Sequence, residues 1–174
     1  MNRLVGCGLA MLLLPALPWA AHAQNAAPFQ LALFTPAQIV PAGRPVSGLR
    51  LNLVYGRNTD VTGVDWGLVN HTAGTGFAWQ DGIVNLVEED FTGWQNGAVN
   101  LTRGRFTGYQ SGGFNSSAEM HGVAFGLVNR TTRMRGVQVG LVNYTETMHG
   151  LQIGVANVIR EGRTPFLPVI NWSF

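Results

Sequence analysis

Residues 134–157 read MRGVQVGLVNYTETMHGLQIGVAN. The octet GVQVGLVN at 136–143 returns as GLQIGVAN at 150–157, fourteen residues further on. This pair decides the fold, because the habit runs along most of the chain. The first position of the octet falls on Gly48, Gly63, Ala78, Gly93, Gly108, Gly122, Gly136 and Gly150, in steps of 15 residues up to Gly108 and 14 after it. One further step lands on Thr164. The fifth position is Asn52, then Gly67, Gly82, Gly97, Gly112, Gly126, Gly140 and Gly154, and finally Pro168. The eighth is Tyr55, then Asn70, Asn85, Asn100, Asn115, Asn129, Asn143, Asn157 and Asn171. About nine units therefore repeat, and a fixed short period is the signature of a repeat architecture.

Within a unit, the second, fourth and sixth positions are apolar or aromatic, as in Val137, Val139 and Leu141. The first, third and fifth carry Gly, Gln and Gly. That alternation has the period of a strand with one buried face, and it places the apolar set in the core. A second apolar point lies two residues before each starting glycine: Val46, Val61, Phe91, Phe106, Met120, Met134 and Met148. Asn followed by a polar stretch is turn chemistry. No unit carries the three-and-four spacing of a helix.

The pattern predicts an all-β, single-domain β-solenoid of about nine coils of 14–15 residues, with an N-terminal capping strand. In a solenoid equivalent residues stack about 4.8 Å apart, so Asn at a fixed corner forms a ladder of side-chain amides. The predicted ladder is Asn70, Asn85, Asn100, Asn115, Asn129, Asn143, Asn157 and Asn171. The alternative is a small antiparallel outer-membrane β-barrel. It draws on the closing FLPVINWSF, whose final Phe174 resembles a barrel insertion signal. A repeat of single units, rather than of hairpins, favours the solenoid.

The chain opens MNRLVGCGLAMLLLPALPWAAHAQ. Arg3, a short apolar run and Ala21-His22-Ala23 form a signal-peptide pattern with cleavage after Ala23. The expected organisation is a signal peptide over 1–23, a cap segment over 24–46 and a repeat domain over 47–174. Cys7 is the only cysteine, so no disulfide staples an exported chain. All eleven basic residues are arginine, balanced by nine acidic ones. That balance excludes a nucleic-acid binder and gives no reason to expect an anionic membrane surface.

The units GLVNYTETMHGLQIGVAN, with the closing PFLPVINWSF, resemble a family of bacterial surface-repeat proteins built from Gly-x-Gln-x-Gly-Leu-x-Asn units. The resemblance covers Phe29 to Phe174 and implies export and a surface or envelope location. It carries no catalytic residues. Ala78, Ala124 and Asn52 depart from the motif.

The chain offers little chemistry. His121 and His149 share a column, but they stand two coils apart, too far for one metal ion. His71 reads as another exposed polar residue. Glu88, Glu89 and Asp90 form a loop run without a facing carboxylate pair. Five Asn-x-Ser/Thr sequons, at Asn70, Asn100, Asn115, Asn129 and Asn143, follow from the ladder itself, so those amides are structural. Thr62, Thr92 and Thr107 do not make an unbroken face. The aromatics Trp66, Trp79, Trp94, Tyr109 and Phe125 could stack on a carbohydrate, but their positions in the repeat read as core.

No catalytic, metal or cofactor-binding residue is expected, and no cofactor. The expected function is a non-enzymatic, structural or interaction role in the bacterial envelope, with an unknown protein or glycan partner. The barrel is the alternative, and the only one that involves a membrane. A glycan-binding or polysaccharide-acting β-helix is a minor reading. The candidate interaction face is the column Gln80, Gln95, Gln110, Gln138 and Gln152, and end-to-end self-association is open to such a stack.

Overall fold

The computed structural model describes residues 25–174, so the signal-peptide reading and Cys7 fall outside the described residues. The fold is a β-solenoid. A short strand, β1 (Ala27–Phe34), pairs antiparallel with the two-residue β2 (Ala37–Gln38) and parallel with β3 (Val46–Asn58). Strands β4 (Val61–Thr72) and β5 (Gly76–Val87) follow in parallel at a constant offset, with Val46 opposite Val61 and Val61 opposite Gly76. The ribbon β6 (Phe91–Ile159) then winds through the remaining coils, starting with Phe91 opposite Gly76.

The last unit breaks the pattern. β7 (Phe166–Ser173) runs antiparallel to the end of β6, pairing Gly150 with Ser173 and Ile153 with Ile170. The coils therefore number fewer than nine, because the unit at Thr164 folds back as a cover. The parallel pairing of every earlier coil excludes the antiparallel barrel.

The interior differs from the expected one. The apolar column two residues before each glycine is buried as predicted: Val46, Val61, Phe91, Phe106, Met120 and Met134 are at most 2% exposed. Phe91 and Phe106 stack at 5.3 Å. Gly76 occupies this column because the Phe91 ring fills the space its side chain would take. Beside this column, however, lie the polar residues of the octet. Gln80, Gln95, Gln110, Gln138 and Gln152 are at most 1% exposed, as are Asn70 to Asn157 at the eighth position. The second, fourth and sixth positions face outward. The alternation is real, but its two faces are the reverse of those expected.

Hydrogen bonding along the axis explains the reversal. Asn100 donates one amide proton to Asn115 Oδ1 at 2.8 Å and another to the Ser111 carbonyl at 2.7 Å in the next coil. The same two bonds recur from Asn70, Asn85, Asn115, Asn129 and Asn143. Each buried amide is thus satisfied by its own copies, which removes the usual cost of burying a polar group. Asn52 begins the ladder, donating to Asn70 at 2.7 Å although it sits at the fifth position of its unit. Asn171 ends outside it, donating to the backbone carbonyls of Thr164 and Asn157.

The glutamine column runs the other way. Gln110 donates to Gln95, Gln95 to Gln80 and Gln80 to Asp65, each at 2.6 Å. Asp65 is held by Arg50 through two bonds, at 2.7 and 2.6 Å, with both side chains fully buried. Ala124 interrupts the column, and Gln138 turns instead to the Thr131 hydroxyl. Two opposed ladders leave one open acceptor each. Asn52 Oδ1 and Gln152 Oε1 are both buried without a partner among the described residues.

The glycines complete the account. At the first position, Gly108 takes a φ of 131°, a conformation that other residues rarely adopt. At the fifth, a Cβ on Gly126 would meet the Gly112 carbonyl and the amides of Asn115 and Asn129. We therefore expect Gly126→Ala to lower unfolding free energy by about 3 kcal/mol or more. Gly43→Ala, with nothing within 4 Å of the added carbon, should change it by less than about 0.5 kcal/mol. Chemical denaturation of both variants checks this.

Candidate docking surface

Burial of the glutamines removes the expected interaction face. Gln80, Gln95, Gln110, Gln138 and Gln152 cannot meet a partner without opening the coil. The sequons are closed in the same way, since their asparagines are ladder members with almost no exposed area.

What the solenoid presents is the other half of the alternation. Trp66 is 62% exposed, Trp79 61% and Trp94 50%, and Phe125, Leu127, Leu141 and Val155 are also exposed. These aromatics were expected in the core, and they lie on the outside. They belong to one long arc, formed by the second, fourth, fifth, sixth and seventh positions of successive octets. Only three charged residues, Arg50, Asp65 and Asp81, fall within the octets from Gly48 to Asn157, and the first two pair inside. A shallow groove of about 820 Å³ opens in the arc where Ser111, Gly112 and Gly113 stand beside Phe125, Leu127 and Leu141. Gly113 occupies the column that Leu127 and Leu141 hold in later coils. Exposed apolar patches of more than a few hundred Å² on a monomer mark interaction sites.

The charged residues occupy the opposite arc, in the turns between octets. There Glu119 receives hydrogen bonds from Arg105 at 3.1 Å, His121 at 3.0 Å and Arg133 at 3.3 Å. Loss of water around the carboxylate raises its pKa, but these three donors outweigh that and hold it at about 2. His149 does not join His121, and its ring meets Phe174 edge-on at 6.1 Å. No group of three or more His, Cys, Asp or Glu side chains gathers among the described residues.

His71 proves to be engaged rather than merely solvated. Its Nε2 lies 2.8 Å from Glu88 Oε1, and its Nδ1 lies 2.8 Å from the Tyr55 hydroxyl. Glu88 can only accept, so Nε2–H donates to it, and in the neutral ring Nδ1 accepts from Tyr55. The hydrogen bond from His71 lowers the Glu88 pKa. His71 and Glu88 border a cleft of about 360 Å³ with Arg103, Arg130, Leu86 and Leu101. A hydroxyl, an imidazole and a carboxylate in sequence resemble an activated nucleophile. Tyr55 does not line the cleft, and the three groups tie neighbouring coils together at one corner.

No family model, curated protein or solved structure matches the chain.

The sequence did carry a signal for the buried amides. An exposed face does not need glycine at every second position, whereas a face crowded against the neighbouring coil does. Asp81, Asn96 and Ser111, at the outward fourth position, are the other residues that sequence reasoning passed over.

Glu119 gives a pH prediction. Its folded-state pKa lies below the ordinary value of 4.5. The pairing therefore stabilises the fold above that value, and this contribution is lost as pH falls towards 2. In a carboxyl-carbon NMR titration the midpoint should lie near 2 and move towards the ordinary range when Arg105 and Arg133 are both replaced by Gln.

Proposed function

We propose that this chain is a non-enzymatic, exported β-solenoid of the bacterial envelope or surface, and that it acts by docking a partner on its apolar outer arc. One observation carries the reading: charge and apolar surface are largely separated around the coil, with Asp81 the one outward charge within the octets. The turns carry the arginines and carboxylates, while the octets expose Trp, Phe, Leu and Val. The amide interior supports a structural role, because it makes a stiff rod out of short identical units and leaves the outer positions free to vary. Export rests on the opening Arg3–Ala23 pattern. The resemblance to bacterial surface-repeat proteins points the same way.

The arc offers contact area without a nucleophile or a paired carboxylate, which favours binding over catalysis. The outward position of these side chains also allows a direct test. Leu127→Arg with Leu141→Arg adds charge where the chain is exposed, so the fold and its melting temperature should persist. Retention of the protein on the cells that make it should fall by at least about tenfold, since a charge in the middle of a desolvated contact costs several kcal/mol. Fractionation of the two forms from the same strain reads this out. Equal retention would exclude the arc as the docking surface.

A further inference from the structure

The apolar arc is interrupted at one place, and the interruption is ordered. In three consecutive octets, AWQDGIVN, GWQNGAVN and GYQSGGFN (78–85, 93–100 and 108–115), three outward columns change together. The second position becomes Trp79, Trp94 and Tyr109, where other units carry Leu or Val. The fourth becomes Asp81, Asn96 and Ser111. The sixth shrinks from Ile83 to Ala98 and Gly113. Register places these residues side by side: Trp79 lies opposite Trp94, Asp81 opposite Asn96, and Trp66 of the preceding coil opposite Asp81. Trp94 and Tyr109 are in ring contact at 4.4 Å. The polar column is thus bounded by Trp66 at one end and Phe125 at the other, with three aromatic rings along one side and small residues along the next.

None of this serves the fold. These side chains point outward, and the interior ladders run beneath them without a break through Gln80, Gln95 and Gln110. Asn96 Nδ2 donates to Asp81 Oδ2 at 2.9 Å, which fixes the carboxylate. The second oxygen of Asp81, the amide oxygen of Asn96 and the Ser111 hydroxyl have no partner among the described residues.

We propose that this aromatic-walled tray binds an extended, neutral or N-acetylated glycan laid along the solenoid axis. The proposal rests on the docking reading above and names the partner for one part of the arc. A pyranose presents a ring face of C–H groups and an equatorial rim of hydroxyls. The C–H face suits the negative face of an aromatic ring, and the rim suits a column of fixed donors and acceptors. Coils about 4.8 Å apart give the tray a length of roughly 19 Å from Trp66 to Phe125, enough for a few sugar rings in a straight β-linked chain. The only formal charge inside it is the Asp81 carboxylate, which repels acidic sugars. The small residues at Ala98 and Gly113 leave room for substituents such as an acetamido group.

The test is calorimetry and tryptophan fluorescence of the purified chain with cellohexaose and with the hexamer of β-1,4-linked N-acetylglucosamine. Maltohexaose serves as the curved control. One of the two straight chains should bind and shift the indole emission, and maltohexaose should not. Trp94→Ala and Asp81→Ala should each weaken binding by about tenfold, while Trp172→Ala should leave it unchanged. Circular dichroism should report the same fold for all three. Absence of binding by both straight hexamers at millimolar concentration would overturn the proposal, as would binding that is indifferent to Asp81→Ala. If cell retention still depends on Leu127 and Leu141 in that case, the arc docks a protein, a second copy or lipid, and only the glycan assignment fails. If retention is indifferent too, the docking reading fails with it.

Discussion

Every coil of this protein has to place a primary amide where the coil above and the coil below can both reach it. A backbone of 14–15 residues per turn encloses too little space for an oily core of the usual thickness. Repetition at the strand spacing of about 4.8 Å, however, brings identical side chains into hydrogen-bonding range of one another. The asparagine ladder uses this fully, with two donors and one acceptor engaged at each interior member. The glutamine ladder runs in the opposite direction with one donated bond per member, from Gln110 down to Gln80, and Ala124 interrupts it. The other features follow from the need to keep these amides in line. Glycine at the fifth position leaves room for them, and glycine at the first takes a positive φ within the strand. An apolar column of Val, Phe and Met, with a second buried column running from Thr72 and Val87 to Thr145 and Ile159, fills what remains.

This constraint separates what could be read from the sequence from what could not. The period, the parallel stacking, the asparagine column and the apolar column before each glycine all follow from spacing, which survives translation into structure without loss. Inside and outside do not follow from spacing. Alternation assigns residues to two faces and leaves the choice of face to hydrophobicity, and hydrophobicity chose wrongly here. Val139 and Leu141 are more apolar than Gln138, but Gln138 has a copy of itself in the next coil to bond with and Leu141 gains nothing comparable. The ends were also illegible in part. Asn171 keeps the repeat's register in sequence, yet β7 reverses direction, and the amide binds backbone instead of continuing the ladder.

The reversal changes what the surface can do. A rod with apolar residues inside would show partners a polar, glycine-rich and nearly featureless face. With its amides inside, the rod displays Trp, Phe and Leu along one arc and carries most of its charges along the other. Since the interior is built from Gln, Asn, Gly, one apolar residue and one Thr, Ser, Val or Ile per unit, the side chains of the outward columns are free of folding duty. The coordinated change across three octets, where Asp81, Asn96 and Ser111 appear beside Trp79, Trp94 and Tyr109, is the kind of local variation that such freedom permits.

The direction in which the two faces point is therefore the central claim, and hydrogen exchange resolved by NMR tests it most directly. One spectrum reports the side-chain amides of Asn100, Asn115, Gln95 and Gln110 together with the indole N–H groups of Trp66, Trp79 and Trp94. The structure predicts amide protons that exchange far more slowly than those of a solvated side chain, alongside indoles that exchange freely. Fast amides with protected indoles would contradict it, and would put the apolar face back inside the coil.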